Sequence, residues 1–464
     1  MESSLFKHVR TISVVAVLAG VVWLGLAGLH RSLWLDEAWV ANSLRAGTWS
    51  EMWWGGEWLQ TSPPAWLALG RLWLGIGGLS TETLRSFSLL FAVVAAGGVY
   101  RAAVGTGARS MAPLVAAALV FPTVASEYFF SFKQYGAEAA AVSLVLWTAA
   151  EGSTIALTAA TAVLLTLAYP LAFLLPGLAL LVWHREGLRK AAVFAGVCGA
   201  VLTGLYVGFI HPNVEPNLWS YWGASFADAY EPSVWIWIAA SVALTAYAAW
   251  ERNYLLLACA LPCVLLVLTE AARWYPASPR MRLFARPCFL VAVAMFAEDH
   301  LSRRWLGWAS AAAAIAMAVG GVVTYSAIPL EDYPKAIARL LQRVQPEDIV
   351  LVHADARQGF VLYAAMEKWD RRVRFGETGW PCCARGRGIP TSSESSVRKD
   401  LERLLPQDFR GRVWLVYANR PLHWKFLGLD EGDLWRRQVW DRGCPPVDYE
   451  DVGNLVISPM NCTR

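Results

Sequence analysis

Charge is what this sequence has little of. Asp, Glu, Lys and Arg make up 16% of its 464 residues, while 56% are hydrophobic and the mean hydropathy is +0.39. A soluble chain carries roughly 25% charged and about 45–50% apolar residues. This chain therefore has too few charges to cover its own surface in water. Several motifs are missing as well: there is no glycine-rich phosphate loop, no nucleophile elbow, no His pair on a helix face and no recognised metal-ligand spacing. The net charge of +4, with no basic stripe interleaved with aromatics, makes no case for nucleic acid. Tryptophan, by contrast, is abundant at 25 residues. Its ring favours the membrane–water interface, where one edge is apolar and the N–H stays wet.

Composition thus predicts an α-helical polytopic membrane protein. Apolar stretches near the ~20-residue spanning length lie at roughly 11–29, 86–104, 110–127, 134–150, 153–169, 170–184, 190–210, 233–250, 253–271, 283–299 and 304–327. That gives about eleven spans. The 153–184 pair is nearly continuous, and Pro170 in "AYPLAF" marks the turn that must divide it. The first apolar run follows Lys7 and Arg10 but outlasts a signal-peptide core, so it reads as a retained helix. Basic residues at Lys7, Arg10, Arg101, Arg109, Arg185, Arg189, Lys190, Arg252, Arg303 and Arg304 mark the cytoplasmic loops, although the bias is moderate. An odd number of spans places the N-terminus in the cytoplasm and the C-terminus outside, in a multi-pass cytoplasmic (inner) membrane protein.

Two domains are expected: a transmembrane part over 1–329, with a long first external loop at 30–85, and an extracytoplasmic domain over 330–464. Within the long loop, "PPAWLALGRLWLGIGGL" is apolar but short and carries Arg71, which suits a helix lying along the interface. In the tail, "PKAIARLLQRV" and "SSVRKDLERLL" read as helices, and "EDIVLVHA" and "RVWLVYAN" as buried strands. The alternation predicts a small α/β fold. Cys198, Cys259, Cys263 and Cys288 fall in spans as small apolar fillers. Cys382, Cys383, Cys444 and Cys462 fall outside, where disulfides form. A bridge between neighbours is sterically awkward, so Cys382 and Cys383 are each expected to pair with Cys444 or Cys462, in an order that sequence leaves open. Zinc is the rival reading, with an unusual spacing for it.

Four polar clusters fall on the outer side: Asp36-Glu37 between Trp34 and Trp39; "LQTSPPAW" with Gln60; "SEYFFSFKQYGAE" with Glu127, Lys133, Gln134, Tyr135 and Glu138; and "RWYPASPRMRLFARP" with Arg273, Tyr275, Arg280, Arg282 and Arg286. Each has a bland reading. Acids favour helix N-termini, arginines anchor lipid headgroups, Pro-Pro stiffens a chain, and Glu138 is a ready partner for Lys133. Against these stand the position of the acids at a membrane exit and the depth of Lys133 and Arg282 within apolar sequence. An ionisable group at that depth is costly and usually faces a cavity. Together the clusters offer a carboxylate base and cationic clamps. A carboxylate takes a proton from an acceptor hydroxyl, and Arg or Lys holds a phosphate as charge grows on it. The pairing suits a sugar donor carried on a lipid phosphate.

The order "LWLDEAW", "Q-x-S-P-P", "TETLRSFSLLFAVVA", "SEYFFSFKQYGAEAA" and "YPASPRMRLFARPCFLVAVA" resembles the bacterial polytopic glycosyltransferases of the GT-C superfamily. These are relatives of the protein O-mannosyltransferases and the lipid A aminoarabinose transferases. The resemblance covers roughly 10–330, and the tail looks like the extracytoplasmic domain of one branch. It implies inverting transfer from a polyprenyl-phosphate sugar to a glycan, lipid or protein hydroxyl, with Asp36 and Glu37 as the catalytic acids. Gln60, Lys133, Tyr135, Arg280 and Arg282 are then the substrate-binding residues. Some relatives have Lys or His before the Pro-Pro where this chain has Ser62, which shifts phosphate binding towards Lys133 or Arg282. No metal ligands are assigned, and a divalent metal, used by some relatives, is left open. The alternatives are a transporter or flippase of a lipid-linked sugar, which would carry ionisable residues at mid-membrane and internal repeats, and a non-catalytic scaffold.

Overall fold

A computed structural model describes residues 4–55, 62–213, 232–275, 280–325, 331–376, 394–418 and 431–463. Gln60, Cys382, Cys383 and most of the expected outer loop at 211–232 lie outside the described residues. Contacts divide the chain into two units. The first comprises Met1–Leu29, Thr61–Ile76 and Glu82–Ala327; the second comprises His30–Gln60, Gly77–Thr81 and Ile328–Arg464. The segment that carries the acidic pair is thus grouped with the C-terminal residues.

In chain order the helices are α1 (Ser4–Ala27), α2 (Leu35–Leu44), α3 (Trp49–Trp54), α4 (Pro64–Gly77), α5 (Thr81–Gly105), α6 (Ala112–Val120), α7 (Thr123–Phe130), α8 (Tyr135–Glu151), α9 (Thr154–Leu165), α10 (Leu175–Glu186), α11 (Leu188–Leu205), α12 (Pro232–Trp250), α13 (Tyr254–Ala271), α14 (Ala285–His300) and α15 (Arg303–Thr324). Helices α2 and α3 belong to the second unit. Among the described residues, α1, α5, α11 with its π-helical extension to Ile210, α13 and α15 are long and apolar enough to cross a bilayer, and the chain is a multi-pass membrane protein. Other apolar stretches are shorter or broken, and proline is the cause in two of them. The 110–127 stretch parts at Phe121–Pro122, between α6 and α7. The 153–184 stretch parts where Pro170 predicts it: α9 ends, a 3-10 helix runs over Tyr169–Leu174, and α10 begins.

Phe121 shows how the first unit packs. A Cβ on Gly20 of α1 would stand 2.9 Å from its ring, and one on Gly321 of α15 would stand 2.8 Å away. Only glycine lets both helices close on that aromatic plug.

The tail of the second unit holds α16 (Tyr333–Arg343), β1 (Ile349–Val352), α17 (Ala354–Met366), β2 (Val373–Phe375), α18 (Glu394–Leu404), β3 (Gly411–Ala418), α19 (Glu431–Asp441), β4 (Glu450–Val452) and β5 (Leu455–Cys462). The sheet order is β2-β1-β3-β5-β4. The first three strands are parallel and joined through α17 and α18, while β5 runs antiparallel to both β3 and β4. Strand β1 is buried throughout, as a strand covered on both faces must be. Ile349 and Leu351 share one face with Val413, Leu415, Val456 and Met460, packed under Val397, Leu401, Trp435 and Val439 of α18 and α19. The expected α/β tail is present, and all four of its predicted elements are observed.

One expectation about the cysteines is corrected. Cys444 pairs with Cys462, not with Cys382 or Cys383. The reason is a strand-like return: Val447 N–H donates to the Pro459 carbonyl and Asn461 N–H to the Pro445 carbonyl, which lays 444–447 along the end of β5. The two Cα atoms are then 4.0 Å apart.

Candidate functional site

The acidic pair occupies the first turn of α2, with Trp34 at the N-cap, Asp36 second and Glu37 third. The two acids have different surroundings. Glu37 is fully buried, and its Oε2 accepts the Trp34 N–H at 3.0 Å. That bond is the reach-back half of a capping box. Asp36 is only half-buried.

The backbone that carries Asp36 is held on every side within the second unit. Leu33 N–H donates to Tyr363 Oη at 2.7 Å, and Leu35 N–H donates to Glu331 Oε2 at 3.2 Å. Ser32 Oγ donates to the Glu331 carbonyl. At the other end of the helix, Asn42 Nδ2 donates to the Gln358 carbonyl at 2.9 Å and to its Oε1 at 3.0 Å. Buried apolar side chains at Leu35, Ala38, Val40, Ala41 and Leu44 complete the seat of α2, which packs on α17. Tyr363 is braced in turn by the Tyr333 ring, stacked at 5.9 Å and 8°. Gly359 makes room for that ring, since any Cβ there would collide with it.

The cationic candidates belong to the first unit. Lys133 sits in the break between α7 and α8 and is half-buried. The break is pinned rather than loose. Arg85 Nη1 donates to the Phe130 carbonyl at 2.7 Å, and Ser88 Oγ to the Ser131 carbonyl at 2.9 Å, so the carbonyls freed by the break are satisfied from α5. Phe132, fully buried, lies 5.3 Å from the Trp66 ring. Ser62 Oγ donates to Gln134 Oε1 at 3.2 Å, which joins the serine before Pro63-Pro64 to the third polar cluster. Tyr135 is buried edge-on to Tyr128 at 5.8 Å. Glu138 is buried too, and its Oε2 has no hydrogen-bond partner among the described residues, so the expected pairing with Lys133 is not made through that oxygen.

Arg280 and Arg282 lie half-buried in the turn that leads into α14. Phe284 anchors this turn by stacking on Phe173 at 5.2 Å. Arg286, one helical turn on from Arg282, donates its Nε–H to the Ala118 carbonyl at 3.0 Å and so ties α14 to α6. Among the described residues, no three His, Cys, Asp or Glu side chains group as a metal site. Glu331, Gln358 and Tyr363 had no signal in the sequence, because their partners are 296 to 330 positions away. For Arg85 alone a cue existed: an arginine opening an apolar helix needs a partner.

No protein-family model matches this chain, and no curated protein does. Solved structures do. Crystal structures of ArnT from Cupriavidus metallidurans match over 96% of this chain and 97% of theirs: in the apo state with TM-score 0.55 at 13% identity, and bound to undecaprenyl phosphate with TM-score 0.51 at 15% identity. At such identity the likeness speaks for the fold. Over nearly its whole length, this chain shares the fold of ArnT.

Proposed function

We propose that this protein is a membrane glycosyltransferase, which moves a sugar from a polyprenyl-phosphate carrier to an acceptor hydroxyl at the outer face of the cytoplasmic membrane. The observation that carries the reading is the whole-length likeness to ArnT, one structure of which is bound to undecaprenyl phosphate. The seating of Asp36 supports it: a half-exposed carboxylate is fixed at the start of a helix whose neighbouring acid is spent on capping. In this reading the N-terminus is cytoplasmic, the C-terminal α/β residues are extracytoplasmic and about eleven spans cross the membrane, the shorter apolar helices among them.

Asp36 acts as general base. It takes the proton from the acceptor hydroxyl as the oxygen attacks the anomeric carbon, while the bond from that carbon to the phosphate oxygen breaks. The configuration inverts, and polyprenyl phosphate leaves. Lys133, Arg280 and Arg282 hold the phosphate and stabilise the charge that grows on it. Tyr135 and Gln60 are assigned to donor binding. Glu37 supports the helix rather than the reaction.

The test is incorporation of radiolabelled sugar from a panel of undecaprenyl-phosphate-linked sugars into membranes carrying equal amounts of native or Asp36→Asn protein. Loss of incorporation on this isosteric change is expected. Incorporation that is equal in both would reject Asp36 as base. No incorporation above background from native protein with any donor, while the membranes label with another transferase, would reject the activity.

A further inference from the structure

Helix α2 is ten residues long. A helix of that length is marginal by itself in water, yet a general base works only when held within hydrogen-bond reach of its proton. The position of Asp36 therefore has to come from elsewhere in the fold. It comes from three bonds that bracket it: Leu33 N–H to Tyr363 Oη before the helix, Leu35 N–H to Glu331 Oε2 in its first turn, and Asn42 Nδ2 to Gln358 in its last. A helix held at both ends can neither slide nor rotate. Two of these bonds satisfy N–H groups at the helix entrance, which have no partner within the helix. Tyr363 Oη also lies 3.1 Å from Thr81 Oγ1 of the same unit.

We propose that Glu331, Gln358 and Tyr363 are positioning residues for the Asp36 base. The C-terminal α/β fold is then the mount of the acidic helix, not an accessory binding module. The inference rests on the proposed glycosyl transfer. It adds that the tail, to which that reading assigns no reacting group, sets the turnover number. Glu331 is the most telling of the three. It is 4% exposed, and its carboxylate is directed at the backbone of the residue next to Asp36.

The experiment uses full-length protein in membranes, with the labelled undecaprenyl-phosphate sugar that the native protein accepts. Glu331→Ala and Tyr363→Phe are expected to lower kcat by about 10- to 100-fold, as a misplaced catalytic group does, with KM for the donor within about twofold. Glu331→Gln keeps an acceptor oxygen for the Leu35 N–H and is expected to restore kcat to within about threefold of native. Hydrogen–deuterium exchange over 33–44 provides a readout independent of turnover: faster exchange in Glu331→Ala and Tyr363→Phe, native-like exchange in Glu331→Gln.

Unchanged kcat and exchange in Glu331→Ala and Tyr363→Phe would overturn the proposal. So would donor KM rising in step with the loss of kcat, or Glu331→Gln behaving like Glu331→Ala. If the alanine variant does not accumulate, Tyr363→Phe and Glu331→Gln decide by the same criteria. The two readings fail separately. Full turnover in Asp36→Asn removes the base, while an inactive Asp36→Asn beside a native-like Glu331→Ala removes only the mount.

Discussion

Asp36 and Lys133 are both partly exposed charged residues, but the two units hold them by different means. Around Asp36 the restraints are hydrogen bonds accepted by polar side chains very distant in sequence, Glu331 and Tyr363 being 296 and 330 positions from their partners. Around Lys133 they are nearer in sequence and partly apolar: Phe132 is plugged against Trp66, while Arg85 and Ser88 of one helix cap two carbonyls, 45 and 43 positions away. The difference follows from the solvent. In a membrane unit a helix break exposes carbonyls that lipid cannot satisfy, so the protein must cap them itself. In the α/β unit, water can pair with any strand or helix end. Side chains such as Glu331 and Tyr363 are then needed for geometry, not only for satisfaction.

The largest effect is expected at Asp36. Asp36→Asn is expected to cut turnover by at least about 100-fold, the usual worth of a general base, with α2 still folded by hydrogen exchange. A smaller loss would mean that the acid is structural, like its neighbour. Next is the disulfide. Replacing Cys444 and Cys462, 18 positions apart, by alanine removes a loop constraint worth about 3 kcal/mol. Proteolysis of the tail in denaturant should show a lower midpoint, and the helical circular dichroism of the membrane unit should stay the same. If both fall together, the units are not separately stabilised.

Arg85→Ala should cost about 2 kcal/mol by leaving the Phe130 carbonyl buried and unpaired. The effect should include a raised donor KM through a displaced Lys133, which Glu331→Ala is not expected to show. An unchanged kcat/KM for the donor would contradict the phosphate role of Lys133. The smallest effect is expected at Glu37. Glu37→Gln retains an acceptor for the Trp34 N–H and should leave turnover within about threefold, whereas Glu37→Ala should cost about 1 kcal/mol as a lost cap. A large loss in the glutamine variant would restore Glu37 to the chemistry.

Much of this was legible beforehand for identifiable reasons. Long apolar runs announce membrane helices because lipid tolerates few alternatives. Pro170 announced its turn because it lacks a donor. The elements at 333–343, 349–352, 394–404 and 411–418 were readable because their periodicities are clean. The break at Phe121–Pro122 was not, since hydropathy is blind to proline inside an apolar stretch. The disulfide partner of Cys462 was not either, because the return of 444–447 along β5 is a pairing between strands and not a spacing. The acidic pair was visible, but the difference in burial within it was hidden. Adjacent residues on a helix point in different directions, and only the fold decides which of them faces inward.

The sequence by itself determined that the chain lives in a membrane, that it ends in an α/β tail and which charged residues are costly enough to need a purpose. These are properties of composition and period, set by the free energy of moving each segment between water and lipid. Tertiary structure alone decided that Glu37 caps while Asp36 stays half-exposed, that Arg85 closes the break before Lys133 and that Glu331, Gln358 and Tyr363 hold the acidic helix. Those outcomes depend on which donor meets which acceptor within about 3 Å, and chain positions hundreds of residues apart carry no local trace of that meeting.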